Sequence, residues 1–186
     1  MSKDIENLRV QKFKGKDGRL FNEWDMIDQR FEYGKDSQVE YYIKKTNGNG
    51  LPIVYEIVFN IKSIIGVREP DANGLQPPIF GKEHVLRITL PNDYPTKSPE
   101  FRFISPVWHP NVQFFGEDEI KGLCCLTFEE QGKDVSLRHY IDWLIDYLTY
   151  TDYMAENKPP YPQDLTVAKW VIEQAEPNDW LNFKQD

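Results

Sequence analysis

Apolar residues recur at three- and four-residue intervals at Leu20, Phe21, Trp24, Ile27 and Phe31, the spacing that gathers them on one face of a helix. Gly34 supplies a stop for that helix. Val39 to Lys45 reads as a strand, and Thr46-Asn47-Gly48-Asn49-Gly50 as a tight turn, because Asn and Gly tolerate positive φ. The period then changes to two: Ile53, Tyr55, Ile57, Phe59 and Ile61 alternate with Val54, Glu56, Val58, Asn60 and Lys62, which predicts a strand with one apolar face. Pro70, Gly74, Pro77, Pro78 and Gly81 mark a loop, His84 to Leu90 alternates again, and Phe101-Arg102-Phe103 reads as a fourth strand. Leu137, Ile141, Leu144, Ile145 and Leu148 predict a helix capped by Ser136, and Leu165, Ala168, Val171 and Ile172 another capped by Asp164. Lys158-Pro159-Pro160-Tyr161-Pro162 forbids joining the two. The expected fold is α+β: an N-terminal helix, a four-stranded antiparallel meander and C-terminal helices.

A length of 186 residues suits one domain, expected as a polar leader over 1–16 followed by a single domain over 17–186. No segment approaches the roughly 18 continuous apolar residues of a membrane span. Met1-Ser2-Lys3-Asp4-Ile5-Glu6 lacks the apolar run of a secretory signal. A cytoplasmic protein without membrane contact is therefore expected. A net charge of −8, with no lysine- or arginine-rich run, argues against nucleic acid as a partner. The only two cysteines, Cys124 and Cys125, are adjacent, which disfavours an unstrained disulfide. His84, His109 and His139 stand at no spacing that would complete a zinc site with them, so no metal is expected.

Candidate chemistry lies between two short motifs. Trp108-His109-Pro110-Asn111-Val112 is followed by Gly122-Leu123-Cys124-Cys125-Leu126. Upstream of both runs Leu90-Pro91-Asn92-Asp93-Tyr94-Pro95-Thr96-Lys97-Ser98-Pro99. A Tyr-Pro-x-x-x-Pro turn, a His-Pro-Asn turn and then Cys-Leu, in this order, resemble the core signature of the ubiquitin-conjugating enzymes. As an architecture the resemblance spans roughly residues 17 to 175.

The resemblance implies a transferase that accepts a ubiquitin-like protein as a thioester on Cys125 and passes it to an amine. Cys125 matches the acceptor cysteine because Gly122-x-x-Cys125-Leu126 fits the family pattern. Cys124 then falls on an aliphatic position, where a thiol behaves as a small hydrophobe. Asn111 matches the family asparagine, which either stabilises the oxyanion of the tetrahedral intermediate or braces the loop beside the thiol. His109 serves to shape its turn, as do Tyr94, Pro95 and Pro99. The implied partners are an activating enzyme, a ubiquitin-like modifier and a protein target. No cofactor is implied, since the thioester arrives already activated. Glu117, Asp118, Glu119, Glu129, Glu130 and Asp134 are candidates for an acidic rim that poises the incoming lysine, each with a solvated loop as the plainer reading. Trp24, Trp108 and Trp143 read as core.

The chain departs from the family pattern at several places. Asn111 and Cys125 stand 14 positions apart, longer than the family's usual spacing, with Phe114 to Ile120 as the excess. That excess either displaces Asn111 from the thiol or folds outward, and burial over the core is the expected fate of Phe114 and Phe115. The family's Trp-x-Pro segment, part of a ligase-docking surface, has no counterpart in Phe128 to Asp134. Glu23, Asp25 and Asp28 make the first-helix surface for an activating enzyme acidic, and the region around Pro159 to Pro162 aligns loosely. Divergence of this breadth resembles the conjugating-enzyme homologues of bacterial ubiquitin-like and antiviral systems. Two other readings stay open: a non-catalytic scaffold of the same fold, and a cysteine hydrolase, for which only His109 and His139 offer a base.

Overall fold

The computed structural model describes residues 6–8, 10–33, 37–126, 135–159 and 161–185. Gly34, the sequence from Phe128 to Asp134 and the rim candidates Glu129, Glu130 and Asp134 lie outside the described residues.

Helix α1, Gly15–Arg30, buries Leu20, Glu23, Trp24 and Ile27. It ends where Phe31 turns to extended backbone, its N–H still reaching Ile27 O and its ring buried. The main sheet has five strands in the order β1-β2-β3-β6-β7: β1 Glu32–Tyr33, β2 Val39–Thr46, β3 Pro52–Phe59, β6 His84–Thr89 and β7 Glu100–Phe103. The last four form the expected antiparallel meander, and two-residue β1 runs parallel to β2. Asn47 fixes the first turn, its Oδ1 accepting from the N–H groups of Asn49 and Leu51. The period-two reading of β3 holds in space: Tyr55, Ile57 and Phe59 are fully buried, whereas Val54, Glu56 and Val58 are not.

The expected loop after Ile61 is more ordered than its prolines and glycines suggested. Strands β4 (Ser63–Val67) and β5 (Pro78–Gly81) pair into a separate two-stranded sheet. Pro78 is tolerated there because it is the first residue of its strand.

Helix α2, Leu137–Leu148, packs beside α1 with Leu137, Tyr140, Ile141, Leu144, Tyr147 and Leu148 buried. Helix α3, Leu165–Trp170, continues into a π-helical turn, Val171–Ala175. The meander, α1 and α2 enclose the main core, which includes Trp24. A second cluster joins Ile64, Trp108, Tyr150, Val167, Trp170 and Val171. Trp143 is half-buried against the main core, its Nε1 donating to Asp152 Oδ2 at 2.6 Å. Among the described residues no helix is long and apolar enough to cross a membrane.

Two expectations fail together at the α1–α2 contact. Glu23, expected on an acidic surface, is wholly buried. Its carboxylate accepts from Tyr94 Oη at 2.7 Å and from the N–H of Leu137 at 2.7 Å, and it pairs with Arg19 Nε at 2.6 Å. Ser136, expected to cap α2, makes no side-chain bond to that helix's N–H groups; its hydroxyl meets His139 Nδ1 at 2.9 Å. A carboxylate is the stronger acceptor at a helix N-terminus, where the dipole favours negative charge, and Glu23 caps α2 from another helix. Asp25 and Asp28 are half-buried, receiving hydrogen bonds from Gln29 Nε2 and Tyr41 Oη.

Candidate active site around Cys125

Cys125 lies on an added strand-like segment. Residues 122–124 sit between β7 and the segment 111–113. On one side Phe103 N–H donates to Gly122 O at 2.8 Å and Cys124 N–H to Phe101 O at 3.0 Å. On the other, Gln113 N–H donates to Leu123 O at 2.9 Å, Gly122 N–H to Gln113 O at 2.7 Å and Cys125 N–H to Asn111 O at 2.9 Å. The two segments form an antiparallel hairpin with Asn111 and Cys125 facing each other at its base.

This register decides the fate of the excess residues. They form the hairpin's tip, so they leave the Asn111–Cys125 pairing intact and project outward. Asp164 anchors the tip. Its Oδ1 caps α3 by accepting from the N–H groups of Thr166 and Val167, as expected, while its Oδ2 accepts from those of Phe114 and Phe115, both at 2.9 Å. Phe114 is half-buried, with its ring 4.7 Å from that of Trp108. Phe115 is exposed, against the expectation of burial. Glu117, Asp118 and Glu119 are exposed at the tip, with Asp118 paired to Lys121.

The two cysteines differ in environment. Cys124 packs on the main core, its thiol donating toward Gly122 O, and burial pushes that thiol's pKa up. Both residues are half-buried, but the thiol of Cys124 faces the core, and a thiol held protonated there is a poor nucleophile. Leu126 packs on the same core. In extended backbone successive side chains alternate, which turns Cys125 to the other face, where it is half-exposed. Tyr147 on α2 donates from its hydroxyl to Cys125 O at 3.2 Å, and its ring stacks on His109 at 4.5 Å.

Asn111 is buried, with Oδ1 accepting from Met154 N–H at 2.8 Å. This bond ties the His-Pro-Asn turn to the chain leaving α2, which is bracing geometry, and leaves Nδ2 as the donor end of the amide.

His109 has both ring nitrogens engaged. Nδ1 accepts from Asn111 N–H at 3.1 Å, which makes Nε2 the protonated nitrogen, 3.2 Å from Asp152 O. Burial pushes its pKa down to about 3, so it is neutral at physiological pH and has no ring nitrogen left to act as a base. His139 is exposed at the start of α2 with its Nδ1 on Ser136. The base a cysteine hydrolase requires is thus not His109.

The depressed pKa of His109 has a consequence for stability. A histidine held neutral in the folded state takes up its proton on unfolding once the pH falls below about 6.5. Stability is therefore fully present above that pH and is lost as the pH falls toward 3, by about 2 kcal/mol between pH 7 and pH 5. His84, buried and also shifted down by desolvation, adds in the same direction. Urea unfolding at the two pH values should give this loss, with a smaller loss in His109→Gln. Equal pH dependence in both proteins would contradict it.

Tyr147, Asp152 and the tip-anchoring role of Asp164 escaped the sequence reading. Asp146 and Asp152 lie close together beyond Tyr147: burial raises the Asp146 carboxyl, followed by the charges of Asp152 and Asp142. Tyr147 lies among the buried residues of α2 and reads there as core, and Asp164 reads as a helix cap, so the sequence singles out neither for these roles. Among the described residues no three His, Cys, Asp or Glu side chains converge as metal ligands would.

The fold and this thiol-bearing hairpin define a class, the conjugating-enzyme type of α+β domain. The sequence model of the family described as ubiquitin-conjugating enzyme matches residues 74–124. Ubiquitin-conjugating enzyme E2 K of Homo sapiens is 30% identical over 93 residues, covering 49% of this chain and 41% of that protein. Ubiquitin-conjugating enzyme E2 13 of Schizosaccharomyces pombe is 31% identical over 105 residues, covering 56% of this chain and 63% of that protein. The chain thus matches about two fifths of the length of the first of these relatives. Among solved structures, a Plasmodium yoelii protein described as a ubiquitin conjugating enzyme superposes with a TM-score of 0.58 at 22% identity, covering 92% of this chain and 91% of that one. The E2 domain of a Toxoplasma gondii ubiquitin conjugating enzyme superposes with a TM-score of 0.55 at 22% identity, covering 90% of this chain and 92% of that one. Residues 74–124 thus match the ubiquitin-conjugating enzyme model, and the fold is shared with solved ubiquitin conjugating enzymes.

Proposed function

We propose that this chain carries a ubiquitin-like protein as a thioester on Cys125 and transfers it to an amine of a target protein. The observation that carries the reading is the hairpin register, which holds the half-exposed Cys125 opposite Asn111. Loading is a thiol exchange: Cys125 Sγ bonds to the modifier's C-terminal carbonyl carbon as that carbon's bond to the activating enzyme's sulfur breaks, and the departing thiolate takes the proton. In the second step the target's amine nitrogen attacks the same carbon, the C–Sγ bond breaks, and the amine's proton passes to solvent or a nearby carboxylate. The chain's part is positioning and charge stabilisation. Asn111 braces the turn through Oδ1 and offers Nδ2 toward a developing oxyanion. Tyr147 holds the backbone of Cys125, acting as a positioning residue.

The scaffold alternative rested on a displaced Asn111 and on the missing ligase-docking segment; the hairpin register speaks against the first, and the second lies outside the described residues. An activating enzyme, a modifier and a target remain the proposed partners, and a cytoplasmic location the proposed setting. Incubation with an activating enzyme, ATP and ubiquitin should yield a thiol-sensitive adduct in the wild type and in Cys124→Ala, and none in Cys125→Ala. An adduct that survives Cys125→Ala would overturn the assignment.

A further inference from the structure

Helix α2 and the helical turns that follow α3 end at one depression, and they end in the same way. Past α2, Thr151 N–H reaches Asp146 O at 2.9 Å and Tyr150 N–H reaches Tyr147 O at 3.1 Å. At the second ending, Trp180 N–H reaches Ala175 O at 3.0 Å and Asp179 N–H reaches Glu176 O at 3.2 Å. This pair of bonds closes a helix around one residue in left-handed backbone, a place that glycine ordinarily fills. Here Tyr150 and Asp179 fill it, each at φ +56, and among the described residues they are the only non-glycine residues at positive φ. The conformation is disfavoured for a bulky side chain, and backbone outliers of this kind gather at binding sites.

The depression has a volume of about 530 Å³, within the range of roughly 300–1,000 Å³ of small-molecule sites. Three aromatic rings line it, that of Tyr150 standing 5.7 Å from Tyr153 and 6.4 Å from Phe183 between centroids. Its charged lining residues are Glu176 and Asp179, both exposed; among the described residues no lysine, arginine or histidine lines it, and neither carboxylate is in an ion pair. Carboxylates, the faces of aromatic rings and the C-terminal ends of helices all attract positive charge. The lining therefore selects a cation. A metal ion needs more ligands than two carboxylates, and among the described residues no three His, Cys, Asp or Glu side chains converge, whereas aromatic faces suit an organic ammonium. Next to the depression the chain seats an ammonium of its own in this manner. Lys62 Nζ lies 5.3 Å from the centroid of Phe80, whose ring packs 5.1 Å from that of Phe183.

We propose that this depression binds an organic ammonium group, with the rings of Tyr150, Tyr153 and Phe183 against its carbon atoms and Glu176 and Asp179 balancing its charge. The site is separate from Cys125, and the inference does not depend on the conjugating function.

Amide NMR of the full chain, titrated with choline at constant ionic strength, provides the test. Saturable shifts are expected at residues 149–153 and 176–185, and none from dimethylbutanol, the uncharged carbon isostere of choline. Tyr153→Leu should weaken binding about 3-fold, and Glu176→Gln with Asp179→Asn about 5-fold. Both substituted carboxylates are exposed, asparagine tolerates the left-handed backbone at 179, and thermal unfolding followed by circular dichroism checks that each variant remains folded. Nα-acetyl-lysine amide, titrated in parallel, separates two sources of the same chemistry: tighter binding than choline assigns the seat to a protein side chain, weaker binding to a free small molecule. Equal shifts from the uncharged isostere, no saturable shift from either ammonium, or an affinity untouched by the paired carboxylate substitution would overturn the proposal.

Discussion

Glu23→Ala is expected to lower the unfolding free energy by about 3–5 kcal/mol, the range seen when one member of a buried, hydrogen-bonded charge pair is removed. The carboxylate is wholly buried and serves three elements at once: Arg19 on its own helix, Tyr94 in the proline turn, and the N–H of Leu137 that opens α2. Its loss leaves the Tyr94 hydroxyl and a helix-terminal N–H without their acceptor, each costing roughly 1–3 kcal/mol if it stays dry, and takes the charge partner from Arg19, which keeps its bond to Val135 O. Glu23→Gln keeps the volume but supplies one acceptor oxygen and an NH2 group where three donors converge, so it should cost about 2 kcal/mol or more. Tyr94→Phe removes one donor and leaves the other two bonds in place, and about 1 kcal/mol is expected. Urea unfolding of the three variants checks the order Ala, Gln, Phe. A loss under 1 kcal/mol for Glu23→Ala would contradict the structural role assigned to that carboxylate.

The helix around Glu23 also marks the limit of what the sequence discloses. The periodicity of Leu20, Trp24 and Ile27 located α1 and its buried face, because burial of a stripe is a local property of spacing. Glu23 lies three residues after Leu20 and four before Ile27, hence on that same stripe, and that geometric signal was there to be used. A glutamate reads as surface because an unpaired buried carboxylate is prohibitive, and its partners Tyr94 and Leu137 lie 71 and 114 positions away. The alternation that located β3 and β6 is likewise local, as is the Asn-Gly turn between β2 and β3. Strands β4 and β5 were read as loop because Pro70, Gly74, Pro77 and Pro78 dominate the span, and only pairing in space reveals the ladder at its two ends.

At the candidate site the same division holds. The motif order brought Asn111 and Cys125 forward, and the structure sets their backbones 2.9 Å apart, Cys125 N to Asn111 O. The 14-position spacing left two outcomes open, and the choice between them rested on a clamp no motif announces. Asp164 was read as a helix cap, a role its Oδ1 fulfils. The second oxygen holds the hairpin tip 50 positions away in sequence, and a carboxylate's ability to serve two sets of N–H groups is what couples α3 to that tip. Tyr147 was hidden for a similar reason: on an amphipathic helix it reads as core, and only the fold puts its hydroxyl against Cys125 O.

Gly122→Ala should cost about 3–5 kcal/mol and disturb Cys125 more than distant parts of the chain. Gly122 has φ +77, and a Cβ there would come within 1.9 Å of Phe103 O and 2.9 Å of Phe103 C. Left-handed backbone alone costs an alanine roughly 1–2 kcal/mol. The clash adds to this, because the obstacle is backbone of a paired strand and cannot rotate aside as a side chain would. Relief requires the segment to lift from β7, giving up Phe103 N–H to Gly122 O and Cys124 N–H to Phe101 O, each worth about 1 kcal/mol. Lifting also unpacks Cys124 from the core, and exposure brings its thiol back toward the reactivity of an ordinary cysteine. Titration with an aromatic disulfide should therefore find one rapidly reacting thiol in the wild type, assigned to Cys125 by its absence from Cys125→Ala, and two in Gly122→Ala. Unfolding by urea gives the stability change on the same samples. Wild-type stability together with a single fast thiol in Gly122→Ala would refute the close approach of Gly122 to β7, and with it the hairpin that sets Cys125 against Asn111.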